Sequence, residues 1–349
     1  MIDRRQFILS AAATMIGSSL ADISWAEPSN SDRFVVHEPT EIAWIIAALS
    51  PLGRDGAIRR DTPYFAAVER WFAHSTTHPV IAALGPDFNL PRLVGNAADY
   101  LFQADGALSR VLSATPLWDD AEGDLFTKYR LDIEDFSKRS NARAFLKQQA
   151  PILAAADHAL RSAVDMTDIK TWLEAEFTER PAPIQLLVSP LTGGWNWTNL
   201  GGVKPRVWIP EPKADALDSP VKRFGVVASV FTEVDHIYVN PITRKYAATL
   251  EAGFAKAKGW AIEQAWVDYA SPELVFNEYM TWSAFLEYAR ARMVSADYQT
   301  LSRKIVRFME KDRGFVRFGE FLYILKGISG RSGKTLQDDF PAIIAAATA

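Results

Sequence analysis

The chain has 349 residues, of which 48% are hydrophobic, and it carries 38 Lys+Arg against 42 Asp+Glu, for a net charge of -4. This length and composition are sufficient for a sizeable buried core, and the charge balance gives no indication of a nucleic-acid partner. The absence of cysteine from the sequence excludes disulfides, thiolate metal sites and cysteine nucleophiles.

The first 26 residues have the pattern of an export signal. The run Asp3-Arg4-Arg5-Gln6-Phe7 resembles a twin-arginine motif, an apolar stretch continues to Leu20, and the small residues Ser24 and Ala26 fit a cleavage site after residue 26. The alternatives are a chance arginine pair or an uncleaved anchor, but the stretch is short for a membrane span. We therefore expect export by the twin-arginine pathway and a periplasmic or secreted mature protein without a membrane span.

The middle of the chain is predicted to be helical. Residues 27–60 are polar and read as a tether followed by a first helix, because an apolar island lies between Ile42 and Leu49. Residues 61–180 form a helical region, in which Pro63 fits the first position of a helix and apolar residues recur at helical spacing.

The pattern changes in residues 181–349, which predict a small sheet, a motif helix and C-terminal helices. Strands are expected at Ile184–Leu191 and Arg206–Ile209, with a turn between them. A helix over residues 221–239 should stop at Pro241, since proline interrupts helical hydrogen bonding. Further helices are predicted at 244–257, 273–293, 297–310 and 336–347. The fold class is therefore α+β, mainly helical with a small sheet.

The stretch Thr232-Glu233-Val234-Asp235-His236 points most directly to chemistry. Zinc proteases place two histidines four residues apart on one helix face, with a glutamate beside the first as general base. Here Glu233 stands at the position of the base and His236 at that of the second ligand, while Thr232 replaces the first histidine. Glu278, on a later predicted helix, is the candidate third ligand. The alternative is an ordinary amphipathic helix, with His236 hydrogen-bonded and partly buried, and with Glu278 near a helix N-terminus, facing solvent or capping the helix.

Five segments support the enzyme-like interpretation. In chain order they are Thr77–Val80, Asp135–Phe145, Ser189–Trp197, His236–Pro241 and the segment around Glu278. The third, Ser189-Pro190-Leu191-Thr192-Gly193-Gly194-Trp195-Asn196-Trp197, is similar to a Ser-Pro-x-x-Gly-Gly-Gly-Asn-Tyr pattern. Together they resemble the bacterial domain-of-unknown-function family 4932, whose members look like zincin-type metallopeptidases. The resemblance implies a zincin-like metallopeptidase fold, Glu233 as the catalytic base, and His236 and Glu278 as zinc ligands.

The resemblance also implies a histidine at position 232, where this chain has threonine. A neutral hydroxyl is a poor zinc ligand and its side chain is short. Loss of a group that merely hydrogen-bonds to a ligand already costs about 10–100-fold in metal affinity, so loss of a ligand should cost more. Zinc is the candidate cofactor, and we expect it to be held weakly. His74 and His78 are four residues apart and form an alternative metal pair, although Pro79 favours a turn there.

The residues before the motif helix are candidates for substrate binding. Gly193, Gly194, Trp195 and Asn196 could line a cleft, because glycine permits close backbone approach. The strand Ile184–Leu191 would then be an edge strand that binds an extended peptide by β-addition. A plain glycine-rich hairpin is an equal alternative.

Three functions stay open. The first is an exported zincin-like protein with a degenerate metallopeptidase site that hydrolyses peptides, and the second is a non-catalytic pseudopeptidase that binds a peptide or protein partner in the periplasm. The third is another hydrolase that uses Glu233 and Glu278 as a carboxylate pair. One distance tests the site: His236 and Glu278 should converge within about 5 Å if both could bind one metal ion.

Overall fold

The computed structural model describes residues 33–51, 56–85, 90–110, 125–194, 196–199, 205–253, 259–269 and 271–348. The predicted export signal lies outside these residues. The described part of the chain is mainly helical, as predicted, and its α-helices are α1 (Glu38–Leu49), α2 (Pro63–Trp71), α3 (Pro79–Ala83), α4 (Leu90–Ala97), α5 (Leu125–Lys128), α6 (Arg130–Arg139), α7 (Ala142–Gln148), α8 (Ala150–Ala163), α9 (Met166–Glu176), α10 (Pro220–Arg244), α11 (Ala247–Gly253), α12 (Glu263–Tyr269), α13 (Pro272–Arg290), α14 (Ser295–Arg307), α15 (Phe318–Ser332) and α16 (Leu336–Thr348).

Two small sheets complete the α+β architecture. The strands are β1 (Arg33–Val35), β2 (Tyr100–Phe102), β3 (Leu108–Arg110), β4 (Gln185–Ser189), β5 (Trp197–Asn199) and β6 (Arg206–Pro210). The larger sheet has the order β1-β4-β6-β5, in which β1, β4 and β6 are parallel and β5 runs antiparallel to β6. β2 and β3 form a separate antiparallel hairpin.

One hydrophobic core connects the regions that the sequence separates. It extends from Val36, before α1, to Ala347 in the last helix. α8, from the predicted helical region, packs on β1 and β4 and also contacts α10. The segment predicted to be a tether therefore contributes a strand to the main sheet. In the part of the chain that the structure describes, no helix is both long and apolar enough to cross a membrane.

The two helices that carry the predicted site residues begin in the same way. Ser219 caps α10 by accepting a hydrogen bond from the Lys222 amide, and Ser271 caps α13 through the Leu274 amide. In each case the next residue is a proline, whose missing N–H costs nothing in the first helical turn. α10 then packs along α13, which is buried over most of its length.

The end of the motif helix differs from the prediction. α10 does not stop at Pro241 but continues to Arg244. Proline removes one hydrogen bond, but only one turn follows it, and Ile242 and Thr243 in that turn are buried against the core. Packing therefore outweighs the local preference. The helix predicted at 244–257 is α11, within the described residues.

The predicted edge strand is an internal one. β4 lies between β1 and β6 and is paired with both, so it cannot accept an added strand. The edges of the sheet are β1 and β5. The sequence does not predict β1, β2 or β3, because a strand of three residues is too short to show the alternation of apolar and polar residues. α15 was not predicted either.

Candidate functional site

The motif helix α10, the helix α13 and the β5 edge of the sheet meet at a cleft of about 400 Å³. The amide and ionisable side chains that line this cleft come from four places in the sequence and are Asn196, Glu233, His236, Glu278 and Arg313. The hydroxyl residues Ser229 and Thr232 also line it. Trp197, Trp282 and Phe308 supply aromatic surface beside them. The structure thus brings together the residues predicted as base and ligands, and adds Arg313.

Both carboxylate oxygens of Glu233 accept hydrogen bonds from side chains at the β5 edge of the sheet. Asn196 Nδ2 donates to Oε1 at 2.6 Å, and Thr198 Oγ1, on β5, donates to Oε2 at 2.8 Å. Burial raises the pKa of Glu233, and the nearby charge of His236 opposes that rise. Glu233 therefore lines the cleft as a carboxyl whose charged form is disfavoured by burial.

Thr232 does not direct a ligand atom into the cleft. Its hydroxyl donates to the Ala228 carbonyl of its own helix at 2.9 Å, and the residue is 2% exposed. A threonine within a helix commonly satisfies its hydroxyl in this way. Asp235 cannot replace it, because this side chain is fully buried and lies beside Thr281 of α13.

His236 and Glu278 converge across the contact between α10 and α13. His236 Nε2 lies 3.4 Å from Glu278 Oε1, within the distance expected for two groups that could share an ion. The other ring nitrogen, Nδ1, lies 3.1 Å from Asn240 Oδ1. With an oxygen acceptor beside each nitrogen, the ring is placed to donate from both, as an imidazolium does. Burial lowers the pKa of His236, but the hydrogen bond and charge of Glu278 outweigh it and raise the pKa to about 9.

Arg313 is the one charged residue among those lining this cleft that the sequence did not reveal. Its Nη1 lies 2.8 Å from Glu278 Oε2, and its Nη2 donates to the Tyr269 hydroxyl. Glu278 therefore has a cationic partner on each oxygen. Burial raises the pKa of Glu278, but the charges of Arg313 and His236 outweigh it and lower the pKa to about 2. This carboxylate is a fixed negative charge at neutral pH.

Two unusual backbone features position Arg313. A π-helix, Phe308–Asp312, immediately precedes it, and Gly314, with φ 76°, follows it. A Cβ on Gly314 would lie 2.4 Å from Ile262 Cγ1, so both the conformation and the space require glycine. π-turns are rare and often occur at functional sites. The glycine could have signalled a turn, but nothing in the sequence marks the arginine before it.

The donor set of this site does not fit zinc. A zinc site takes three or four nitrogen, oxygen or sulfur ligands. His236 and Glu278 are two candidates, but the Thr232 hydroxyl is committed to its helix and both oxygens of Glu278 already face cations. Among the residues that the structure describes, no group of three or more His, Asp or Glu side chains could hold a metal ion.

The four residues predicted to bind substrate have different positions. Asn196 and Gly194 line the cleft, and Asn196 also contacts Glu233. Gly193 instead packs on backbone, because a Cβ there would lie 2.3 Å from the Gly56 carbonyl oxygen. Trp195 lies outside the described residues.

The alternative histidine pair has a separate role in the structure. The His78 ring caps α3 through the Val80 amide, and its Nε2 lies 3.1 Å from Asp135 Oδ2. His74 is exposed on a short 3₁₀ turn. Thr77–Val80 and Asp135–Phe145, the first two segments of the family resemblance, thus contact each other. Neither segment lines the cleft.

No protein-family model matches the chain, and the searches of curated proteins and of solved structures found no match either. Membership of family 4932 and the zincin-like fold therefore stay predictions.

Proposed function

We propose that this chain is an exported, zincin-like protein of the family 4932 type whose cleft binds an extended peptide segment without hydrolysing it. The segment is that of a periplasmic peptide or protein partner. One observation carries the proposal: an antiparallel edge strand, β5, borders the cleft and is hydrogen-bonded to its central carboxyl, Glu233.

β5 has the position that peptide capture requires. Within the described part of the chain it has a strand neighbour on one side only, β6. An extended peptide can add to such an edge through main-chain hydrogen bonds, while its alternate side chains enter adjoining pockets. Trp282 and the partly exposed Phe308 lie in the same cleft and offer an apolar surface to one such side chain.

The lack of hydrolysis follows from the ligand set. A zincin needs a metal-bound water, and the residue at the first ligand position, Thr232, uses its hydroxyl within its own helix. Glu233 retains the position of the base but has no activated water to deprotonate. The carboxylate-pair hydrolase is disfavoured because Glu278 is tied to Arg313 and His236.

Binding and cleavage are tested with two probes on the mature chain. A fluorescein-labelled pool of random nonapeptides should raise its anisotropy with the native protein. The Phe308→Ala variant should bind at least about tenfold more weakly, since a buried aromatic anchor contributes roughly 1–2 kcal/mol or more. Tyr323→Ala is the matched control, because Tyr323 is 79% exposed and does not line the cleft.

The hydrolysis arm uses internally quenched peptides with added Zn²⁺. We expect no turnover by the native chain. Zinc-dependent cleavage that is lost in Glu233→Gln would replace the binding proposal by the metallopeptidase one. Equal binding by the Phe308→Ala and Tyr323→Ala variants, or none by the native chain, would rule out the cleft as a peptide site.

A further inference from the structure

We propose that the Arg313 guanidinium is the resident cation of this site, which holds His236 and Glu278 in place where a zincin would use a metal ion. The proposal concerns what fills the site, and it does not depend on which ligand enters the cleft.

Both carboxylate oxygens of Glu278 already have partners. Glu278 offers one carboxylate oxygen to Arg313 at 2.8 Å and the other to His236 at 3.4 Å. A metal ion bound by His236 and Glu278 would have to displace the contact between these two side chains or the contact between Glu278 and Arg313. The guanidinium therefore competes directly with a metal for the carboxylate.

The charge of Glu278 is already compensated by the protein. One oxygen of this carboxylate faces the Arg313 guanidinium and the other faces the His236 ring. No added ion is needed to offset the desolvation cost of burying this carboxylate. A divalent cation would add charge beside a guanidinium that cannot lose its proton.

Aromatic rings enclose Arg313. Its guanidinium carbon lies 5.3 Å from the ring centre of Phe315, 5.6 Å from that of Trp282 and 5.7 Å from that of Tyr269. Phe308, at 6.0 Å, is a fourth ring. Aromatic faces attract a cation by their quadrupoles, and a ring set of this kind is typical of a built cation site. The π-helix and Gly314 fix the backbone that delivers the guanidinium into it.

The first experiment separates charge from packing in the mature full-length chain. Arg313→Lys keeps a cation and Arg313→Met keeps a similar volume without charge. We expect Arg313→Met to lower the melting temperature by roughly 5–10 °C and Arg313→Lys to lower it distinctly less. Arg290→Met is the matched control, because that exposed arginine pairs with Glu287 on its own helix and should shift the melting temperature little. A melting temperature for Arg313→Met equal to that of Arg313→Lys, or failure of both to fold, would overturn the proposal.

The second experiment measures zinc directly, by equilibrium dialysis and elemental analysis. The native chain should hold less than about 0.1 zinc per chain at micromolar Zn²⁺, and EDTA should leave its melting temperature unchanged. Thr232→His alone should bind zinc poorly, because Arg313 still occupies Glu278. The double variant Thr232→His with Arg313→Met should bind zinc at least about 100-fold more tightly than Thr232→His, with a ligand set of two histidines and one glutamate.

Two results would contradict the assignment of Arg313. One is stoichiometric zinc in the native chain, and the other is equal zinc affinity in the single and double variants. If the double variant fails to fold in the absence of metal, its recovery on refolding with Zn²⁺ counts as binding, and no recovery counts against the proposal. Peptide binding by the native chain is unaffected by either outcome, so the failure of this inference and that of the proposed function are distinguishable.

Discussion

The cleft and the end of the parallel strands each bury a glutamate, and the pKa values of the two carboxyls are shifted in opposite directions. Glu278 is 7% exposed and its pKa falls to about 2, despite burial, because Arg313 and His236 supply positive charge. Glu41, on α1, is 1% exposed and its pKa rises to about 7. Burial is therefore not what sets the protonation state; the charged partner is.

The surroundings of Glu41 explain the difference. Burial raises its pKa most, while Ser189 and Tyr64 lower it less by hydrogen bonding, and the like charge of Glu211 raises it further. Its Oε1 has no partner at hydrogen-bond distance within the described residues. The cleft thus contains a closed ion-paired cluster, and the strand ends contain a buried acid that is largely protonated below neutral pH.

The largest expected effect comes from removing the charge in the cleft. Glu278→Gln leaves Arg313 and His236 without their carboxylate, and breaking a buried pair from one side costs about 3–5 kcal/mol of unfolding free energy. Urea unfolding at pH 7 measures it. The folded pKa of Glu278 lies below the ordinary value of 4.5, so its contribution is present above pH 4.5 and is lost as the pH falls toward about 2. A variant as stable as the native chain at pH 7 would show that the cluster does not stabilise the fold.

Replacing Glu41 by glutamine should change the free energy of unfolding at neutral to alkaline pH in the opposite direction, toward greater stability. Because its folded pKa of about 7 is above the ordinary value of 4.5, the stability it contributes is complete below pH 4.5 and is lost as the pH rises through about 7. Glu41→Gln should therefore stabilise the chain, relative to native, by about 3 kcal/mol more at pH 8 than at pH 4. Unfolding titrations at the two pH values test this, with exposed Glu69→Gln as the control. A difference that does not change with pH would refute the raised pKa.

A smaller effect is expected where a hydrogen bond alone is removed from the cleft. Thr198→Val keeps the shape of the side chain but removes the hydroxyl, which lies within hydrogen-bond distance of both Glu233 Oε2 and the Glu233 main-chain carbonyl. Hydrogen bonds to charged groups contribute about 1.5–3 kcal/mol, and the lost donor should raise the pKa of Glu233 further. Chemical denaturation and an NMR titration of the labelled carboxyl measure the two effects. An unshifted titration would mean that Thr198 does not stabilise the ionised form.

The smallest effect concerns the helix that carries Glu278. Ser271→Ala removes the side-chain cap of α13 and should cost about 1 kcal/mol, without changing the charges of the cleft. Stability should fall equally at pH 4 and pH 8, in contrast to the two glutamate variants. A pH-dependent loss would indicate that the cap acts through the ion-paired cluster.

Local patterns were sufficient for most of the helices that build the site. Ser219-Pro220 and Ser271-Pro272 mark the starts of α10 and α13, because capping depends on neighbours within one turn. The continuation of α10 past Pro241 was predicted wrongly, because burial of Ile242 and Thr243 is a tertiary effect. The sequence could not predict the internal position of β4 either, because the order of strands depends on contacts between segments that are far apart in the sequence.

By itself, the sequence predicted an α+β chain that is mainly helical. The Thr-Glu-x-x-His pattern, together with the family resemblance, predicted that Glu233, His236 and Glu278 share one site, and all three line one cleft. Only the tertiary structure decided which charged and hydrogen-bonding partners those residues have. Arg313 reaches Glu278 through a π-helix and a glycine turn, and β5 reaches Glu233 from the sheet edge. The physical reason is that charge pairing acts across space, between groups whose separation along the chain carries no periodic signal.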